Sequence, residues 1–365
     1  MGGPLRIGII GVGKISEQYF AEFPKLPGLK LVAVADVATE RAKTVAAEQG
    51  VRAQSVDELI TSPDVDAVLN LTIPAAHAEI ALRALDAGKH VYGEKPLALF
   101  PAEAEPVLAL AAERGLRVGS APDTVLGTGV QTSRQLLDAG RIGTPVAASA
   151  FWASPGHETW HPAPQFYYLP GGGPLFDMGP YYLTALVSLL GPVVRISGTT
   201  GRSARERIVA VGPLAGTKLK VEVDTHVSAL LTHASGVTST VMMSFDVWAT
   251  RMPRIEIYGT HGTIAVPDPN RFSDVTELRT SDDTAWHDVP ASAGYADAGR
   301  GCGLADMAHA IETGRPHRAS AELAFHVLEI MDGALRAAHE HTVVDVVSTV
   351  ERPDIVPFGA TPDSW

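Results

Sequence analysis

The chain has 365 residues, 45% of them hydrophobic and 19% charged, a composition that can bury a sizeable core and a length that suits two domains. Its net charge of −12 argues against nucleic acid or an anionic membrane as a partner, since either would be repelled, and leaves a small molecule as the expected ligand. One cysteine, Cys302, excludes an intrachain disulfide framework and suits a reducing compartment.

No apolar stretch approaches a membrane span and no small-residue cleavage site follows the first apolar run, so a cytoplasmic protein is expected. Asn70-Leu71-Thr72 matches a glycosylation acceptor but falls in a predicted buried strand and is set aside.

In chain order, Leu5 to Ile10 is an apolar run of the kind buried on both faces of a sheet. It leads into Gly11-Val12-Gly13-Lys14-Ile15-Ser16 and a helical pattern from Glu17, the strand, glycine turn and helix that a dinucleotide pyrophosphate needs. Ser16 departs from the usual third Gly or Ala. A second strand runs from Lys30 to Asp36. Asp36 lies 23 residues past Gly13, where a carboxylate can bond both ribose hydroxyls and would oppose a 2′-phosphate. NAD is therefore expected over NADP, with Arg41 able to neutralise a phosphate, and Asp36 could equally cap the helix beginning near Thr39.

A strand from Ala67 to Thr72 passes into Ile73-Pro74 and a helix carrying His77, Ile80, Leu82 and Leu85. The next strand, Lys89 to Gly93, ends in Glu94-Lys95-Pro96. Ligands of open α/β sheets sit beyond the carboxyl ends of strands, so Lys95 is the leading catalytic candidate, and Pro96 narrows its backbone choices. A helix from about Ala102 to Arg114 and a strand from Leu116 to Ser120 complete an alternation that implies a doubly wound parallel sheet. The candidate cofactor contacts are Gly11, Gly13, Lys14, Ile15, Asp36, Thr72, Ile73, Pro74, His77, Glu94 and Lys95.

Beyond Pro122 a helix is predicted from Val125 to Ala139. Strands follow at Val146 to Trp152, Val193 to Thr199, Leu219 to Leu231, Val237 to Phe245, Arg254 to Tyr258 and Thr263 to Val266, separated by turns such as Ser235-Gly236. Helices return at Gly303 to Thr313 and Ala321 to His339. The proline-rich tail from Glu351 reads as an extended cover or a frayed end. The expected fold is α/β plus α+β: a Rossmann domain over residues 1–122, then a substrate-binding and oligomerisation domain over 123–365 whose large, mostly antiparallel sheet is covered by helices on one face.

His157-Glu158-Thr159-Trp160-His161 matches the H-E-x-x-H of zinc peptidases, which needs a helix to bring both imidazoles to one face. Prolines at 155, 162 and 164 oppose such a helix, and no metal is expected. Trp152, His157, Trp160, His161, Phe166 and Tyr167 instead suggest an aromatic and imidazole loop suited to a sugar ring. After it, Asp177 and Tyr181 are four residues apart and share a face if a helix begins there, a placement that Pro180 tolerates only in a first turn.

Gly11-Val12-Gly13, Ala87-Gly88-Lys89-His90-Val91 with Glu94-Lys95-Pro96, and Gly171-Gly172-Gly173-Pro174-Leu175-Phe176-Asp177-Met178-Gly179 together resemble the glucose-fructose oxidoreductase, inositol dehydrogenase and rhizopine-catabolism (Gfo/Idh/MocA) family. Arg254 to Thr260 and Gly314-Arg315-Pro316 extend the resemblance over nearly the whole chain. It implies a Rossmann domain, a second domain with a large sheet, an active site between them, and Lys95 near the nicotinamide and reacting carbon. Many members read Asp-x-Gly-x-His where this chain has Asp177-Met178-Gly179-Pro180-Tyr181, so it resembles the tyrosine branch that contains glucose-fructose oxidoreductase and the dimeric dihydrodiol dehydrogenases. Tyr181 would take the substrate proton, helped by the Lys95 ammonium, and Asp177 would orient the sugar or the lysine. Candidate substrate contacts are Lys95, Asp123, Trp152, His157, Trp160, His161, Asp177 and Tyr181.

These readings lead to an NAD(H)-dependent oxidoreductase of a sugar, cyclitol or glycoside, assembled as a homodimer or homotetramer through the second sheet. An NAD-retaining glycosidase and a non-enzymatic sugar sensor of the same fold are the alternatives.

Overall fold

In the computed structural model, residues 3–362 are described, and the chain forms two compact units. In the first, β1 (Leu5–Ile10), β2 (Leu29–Ala35), β3 (Arg52–Ala53), β4 (Ala67–Asn70), β5 (His90–Gly93) and β6 (Val118–Ser120) form a parallel sheet in the order β3-β2-β1-β4-β5-β6. β1 and β4 are apolar almost throughout because each is flanked by strands and covered on both faces. Two clusters fill those faces, one around Ile7, Ile9 and Tyr19, the other around Val68, Leu85 and Val91. The helices are α1 (Ser16–Glu22), α2 (Thr39–Gln49), α3 (Val56–Thr61), α4 (His77–Asp86) and α5 (Pro101–Arg114). α3 starts on a reciprocal cap: the Ser55 hydroxyl accepts the Glu58 N–H and the Glu58 carboxylate accepts the Ser55 N–H.

The second unit contains α6 (Thr128–Asp138), α7 (Gly173–Leu190) and a nine-stranded sheet. Its strands are β7 (Pro145–Ala153), β8 (Val193–Gly201), β11 (His226–His233), β12 (Thr238–Ser244), β13 (Ile255–Gly259), β14 (Gly262–Val266), β15 (Thr276–Thr280), β16 (His287–Val289) and β17 (Val344–Asp345), while β9 (Glu206–Ile208) and β10 (Lys218–Lys220) form a separate hairpin. The order is β16-β15-β14-β13-β7-β12-β11-β8-β17, antiparallel except where β7 meets β12. α7 packs across β7, β11 and β12. Alternate positions on the strands, such as Thr238 and Thr240 of β12, are exposed.

Two expectations change here. The apolar alternation from Leu219 to Leu231 is not one strand: β10 ends at Lys220 and β11 begins at His226. The units are also not contiguous, since residues 293–325 and the stretch from Pro353 belong with the first, and the boundary lies at Thr128 instead of residue 122. The reason is packing. Leu304, Ala305 and Met307 of α8 (Cys302–Thr313), together with Ala319, join the core around Ile7, and Gly119 bridges Ser320. The tail is an extended cover: Val356 is fully buried and its carbonyl accepts the Gly294 N–H. α9 (Ala321–Glu340) contributes residues 326–340 to the second unit, where its Gly333 lies against Ile196 and Val344.

Candidate functional site

The turn after β1 is built for close approach. Gly11 has φ +95°, and a Cβ there would stand 2.6 Å from the Leu71 carbonyl oxygen. A Cβ on Gly13 would meet no atom within 4 Å, so that residue borders open space, where a side chain would obstruct a pyrophosphate. Ser16 serves as the third residue of the motif because its buried hydroxyl bonds the Gly13 carbonyl at 2.7 Å and closes the turn. A cavity of about 660 Å³ extends from Val12, Gly13 and Lys14 to Arg41 and Gln49. Asp36, at the end of β2, accepts the N–H groups of Val12 (2.9 Å) and Ala38 (2.8 Å), and the N-cap of α2 is Ala38 itself. Lys14 is exposed and pairs with Glu17, and Ile15 precedes α1. The glycine turn, the open space above Gly13 and the Asp36 carboxylate together fit a dinucleotide.

Beyond β4 and β5 the expected contacts divide. Ile73 is exposed, while the Thr72 hydroxyl bonds Asn70 Oδ1 at 2.6 Å and Pro74 opens a short 3-10 turn. His77, an expected cofactor contact, faces into the protein. It is buried, with Nδ1 2.7 Å from the Pro96 carbonyl oxygen and Nε2 3.1 Å from that of Thr72, and burial pushes its pKa below the usual histidine range. Glu94 is buried beneath Lys95: its carboxylate accepts the Tyr19 hydroxyl at 2.9 Å and the Lys95 N–H at 3.1 Å. Tyr19 escaped the sequence reading because a helix-face tyrosine looks like any core aromatic. Lys95 is half-buried, at the carboxyl end of the sheet. Asp123, an expected substrate contact, likewise faces inward. It is completely buried, accepts the N–H groups of Gly301 and Gly303 at the start of α8, and lies 3.7 Å from Arg300.

In the second unit, α7 begins at Gly173, four residues before Asp177, so Pro180 stands inside the helix instead of in its first turn. It cannot donate to the Phe176 carbonyl, a loss tolerated in a helix fixed by burial on nearly all sides. Gly172 permits the entry, since a Cβ there would collide with the carbonyl oxygens of Phe166 and Tyr167 at 2.6 Å. Asp177 and Tyr181 do share a helix, and Tyr181 is buried.

The 157–161 segment forms a 3-10 turn from His157 to Thr159, and its side chains diverge. His157 Nε2 lies 2.7 Å from Asp177 Oδ2, and Nδ1 lies 3.2 Å from the indole nitrogen of Trp160. Glu158 turns instead to Tyr168 and Arg207, whose guanidinium also binds Asp246. His161 accepts the Ala163 N–H. Among the described residues no group of three or more His, Cys, Asp or Glu could hold a metal ion. His157 is buried among Trp152, Trp160, Tyr167 and Phe245, so it supports Asp177 more directly than it offers a surface to a sugar. Trp160 is the exposed member of the group. The Glu158–Arg207 pair, which anchors this turn, had no signal beyond the glutamate of the peptidase-like motif.

The sequence profile of the oxidoreductase family with an NAD-binding Rossmann fold, Gfo/Idh/MocA, matches residues 5–121, and the profile of the same family's C-terminal domain matches residues 130–265. The chain belongs to the Gfo/Idh/MocA family. Its first unit is an NAD-binding Rossmann domain. A dTDP-3,4-didehydro-2,6-dideoxy-alpha-D-glucose 3-reductase from Streptomyces violaceoruber is 36% identical over 62% of this chain and 66% of that protein. Inositol 2-dehydrogenase 3 from Saccharopolyspora erythraea is 36% identical over 44% of this chain and 48% of its own length. Both alignments thus span less than two thirds of these relatives. A levoglucosan dehydrogenase in complex with NADH and L-sorbose superposes with a TM-score of 0.80 at 22% identity, over 95% of this chain and all of that one, so the two share a fold.

Proposed function

We propose that this chain is an NAD(H)-dependent oxidoreductase that passes hydride between the nicotinamide and a secondary alcohol or ketone of a sugar, cyclitol or glycoside. The observation that carries the reading is the combination, in one family member, of a dinucleotide turn read by Asp36 with Lys95 after β5 and the Asp177 and Tyr181 pair on α7. When bound, NAD supplies the hydride acceptor. Lys95 places a cation beside the reacting oxygen, and Tyr181 takes the hydroxyl proton as the C–H bond breaks. Asp177, held by His157, orients the polyol through its hydroxyls. Trp160 offers a flat face to the ring's C–H surface. The named activities of the reductase and inositol dehydrogenase relatives support a sugar or cyclitol substrate. Self-association through the second sheet, as a homodimer or homotetramer, belongs to the same proposal.

The test is the near-ultraviolet absorbance of NADH during incubation of NAD with a panel of aldoses, cyclitols and anhydrosugars. Net NADH from at least one of them is the expected result. Cofactor binding with no net NADH, but with hydrolysis of a glycoside, would replace the reading by a redox-neutral glycosidase, and sugar binding without turnover would indicate a sensor.

A further inference from the structure

We propose that Trp160 is a positioning residue that, together with the Asp177 carboxylate, fixes the tautomer of His157 and holds the ring that orients that carboxylate. This rests on the oxidoreductase reading for its effect on turnover, but not for its structural content. An indole nitrogen carries a hydrogen and no acceptor lone pair, so it can only donate. The Trp160 indole nitrogen lies 3.2 Å from His157 Nδ1, which must therefore present its lone pair. The proton of the neutral ring then resides on Nε2, which donates to Asp177 Oδ2 at 2.7 Å. In the opposite tautomer, Nδ1–H would face the indole N–H, and the Nε2 lone pair would face the carboxylate. Both contacts would become repulsive.

The ring cannot escape by rotating. Tyr167 stands 4.2 Å and Phe245 4.6 Å from its centroid, and a half-turn about its bond to Cβ would put carbon atoms where both hydrogen bonds are made. The backbone is held as well, since the His157 N–H donates to the Tyr168 hydroxyl at 3.1 Å, and Tyr168 in turn donates to Glu158, which Arg207 clamps. One adjustable element remains, the placement of the ring proton, and Trp160 fixes it from the Nδ1 side while the Asp177 carboxylate fixes it from the Nε2 side. Trp160 is 57% exposed, so its N–H can be removed without opening the core.

The experiment is nitrogen NMR of the full chain labelled with 15N-histidine, with the His157 signals assigned by their loss in His157→Gln. In the wild type, Nδ1 is expected to be unprotonated and Nε2 protonated. Trp160→Phe keeps an aromatic face and deletes the donor. It should leave the proton on Nε2, where the carboxylate still requires it, but shift the Nδ1 resonance as that lone pair loses its donor, and lower kcat by about fivefold, the size of one lost neutral hydrogen bond, with the KM for the sugar changed less than about twofold. A protonated Nδ1 in the wild type overturns the proposal without recourse to any variant, so misfolding of the variant leaves it decidable. An unchanged Nδ1 resonance in a folded Trp160→Phe also overturns it, and a raised KM with that resonance unchanged would assign Trp160 to ring stacking alone. Should no polyol be oxidised by the wild type, the oxidoreductase reading fails while the nitrogen signals still decide the tautomer.

Discussion

His77 Nδ1 stands 2.7 Å from the carbonyl oxygen of Pro96, so the first residue of α4 is tied to the residue that follows Lys95. The same ring reaches the Thr72 carbonyl at 3.1 Å, and one buried imidazole thereby joins the loops after β4 and β5. His77→Phe should fill the space but leave the one carbonyl that the single N–H of the neutral ring serves without its donor, lowering stability by about 1–3 kcal/mol. The loss of order at Lys95 should appear as a lower kcat. Thermal melts and steady-state rates check both, and a variant with wild-type melting and turnover would reduce His77 to packing.

Removal of the phenol should separate chemistry from binding. Tyr181→Phe is expected to lower kcat by roughly 10²-fold or more while NADH affinity stays nearly intact, because general acid-base catalysis contributes about 10²–10⁴-fold. Lys95→Ala should be at least as damaging. Rates of the two variants on the best polyol, beside NADH titrations, provide the check. Near-normal turnover in Tyr181→Phe would move the proton path to another group.

Cofactor preference should follow Asp36. A 2′-phosphate placed near this carboxylate meets a like charge, and a penalty of about 1.4 kcal/mol is a tenfold difference in affinity. Calorimetric titration should give NAD(H) at least that advantage over NADP(H). Arg41 lines the same cavity as Gly13. Equal affinities would mean that Arg41 compensates for Asp36.

Acid should weaken the fold through its buried histidines. Burial pushes His326 down to about 4, and its Nε2 lone pair accepts the Val193 N–H at 3.0 Å. The folded pKa lies below the unfolded value of about 6.5, so the unfolded chain takes up the proton first as pH falls. The stabilisation is complete above about pH 6.5 and lost as pH drops toward 4, on the order of 3 kcal/mol for this one group. Burial also pushes His77, His233 and His317 down, and these act in the same direction. Denaturant unfolding across that window should show a shallower slope for His326→Gln than for the wild type. Identical slopes would contradict the assignment.

The first sheet was legible because strands buried on both faces write themselves as unbroken apolar runs, as Leu5 to Ile10 and Ala67 to Asn70 do. Short edge pieces such as β3 and β16 were not, since exposed two- and three-residue strands carry no pattern. Asp177 and Tyr181 could be read from their spacing, but the helix start could not, because the glycines before Asp177 looked like a loop while Gly173 already belongs to α7. Asp123, His77 and Glu158 have their partners far away in sequence or in a fold not yet known: Gly301, Pro96 and Arg207. A buried polar residue's role is set by what faces it, and sequence neighbours do not report that.

The contact between Asp36 and the Val12 N–H has a consequence for the descent and redesign of cofactor choice. The residue expected to distinguish the two nucleotides is also a fastening of the loop that would receive their phosphates. Exchanging Asp36 for a small neutral residue therefore releases the Val12 amide at the same moment as it lifts the discrimination. A lineage or an engineer moving this chain toward the phosphorylated cofactor must re-anchor that turn in the same step, so single-residue swaps at this position should yield indifferent, weakly binding enzymes before they yield switched ones.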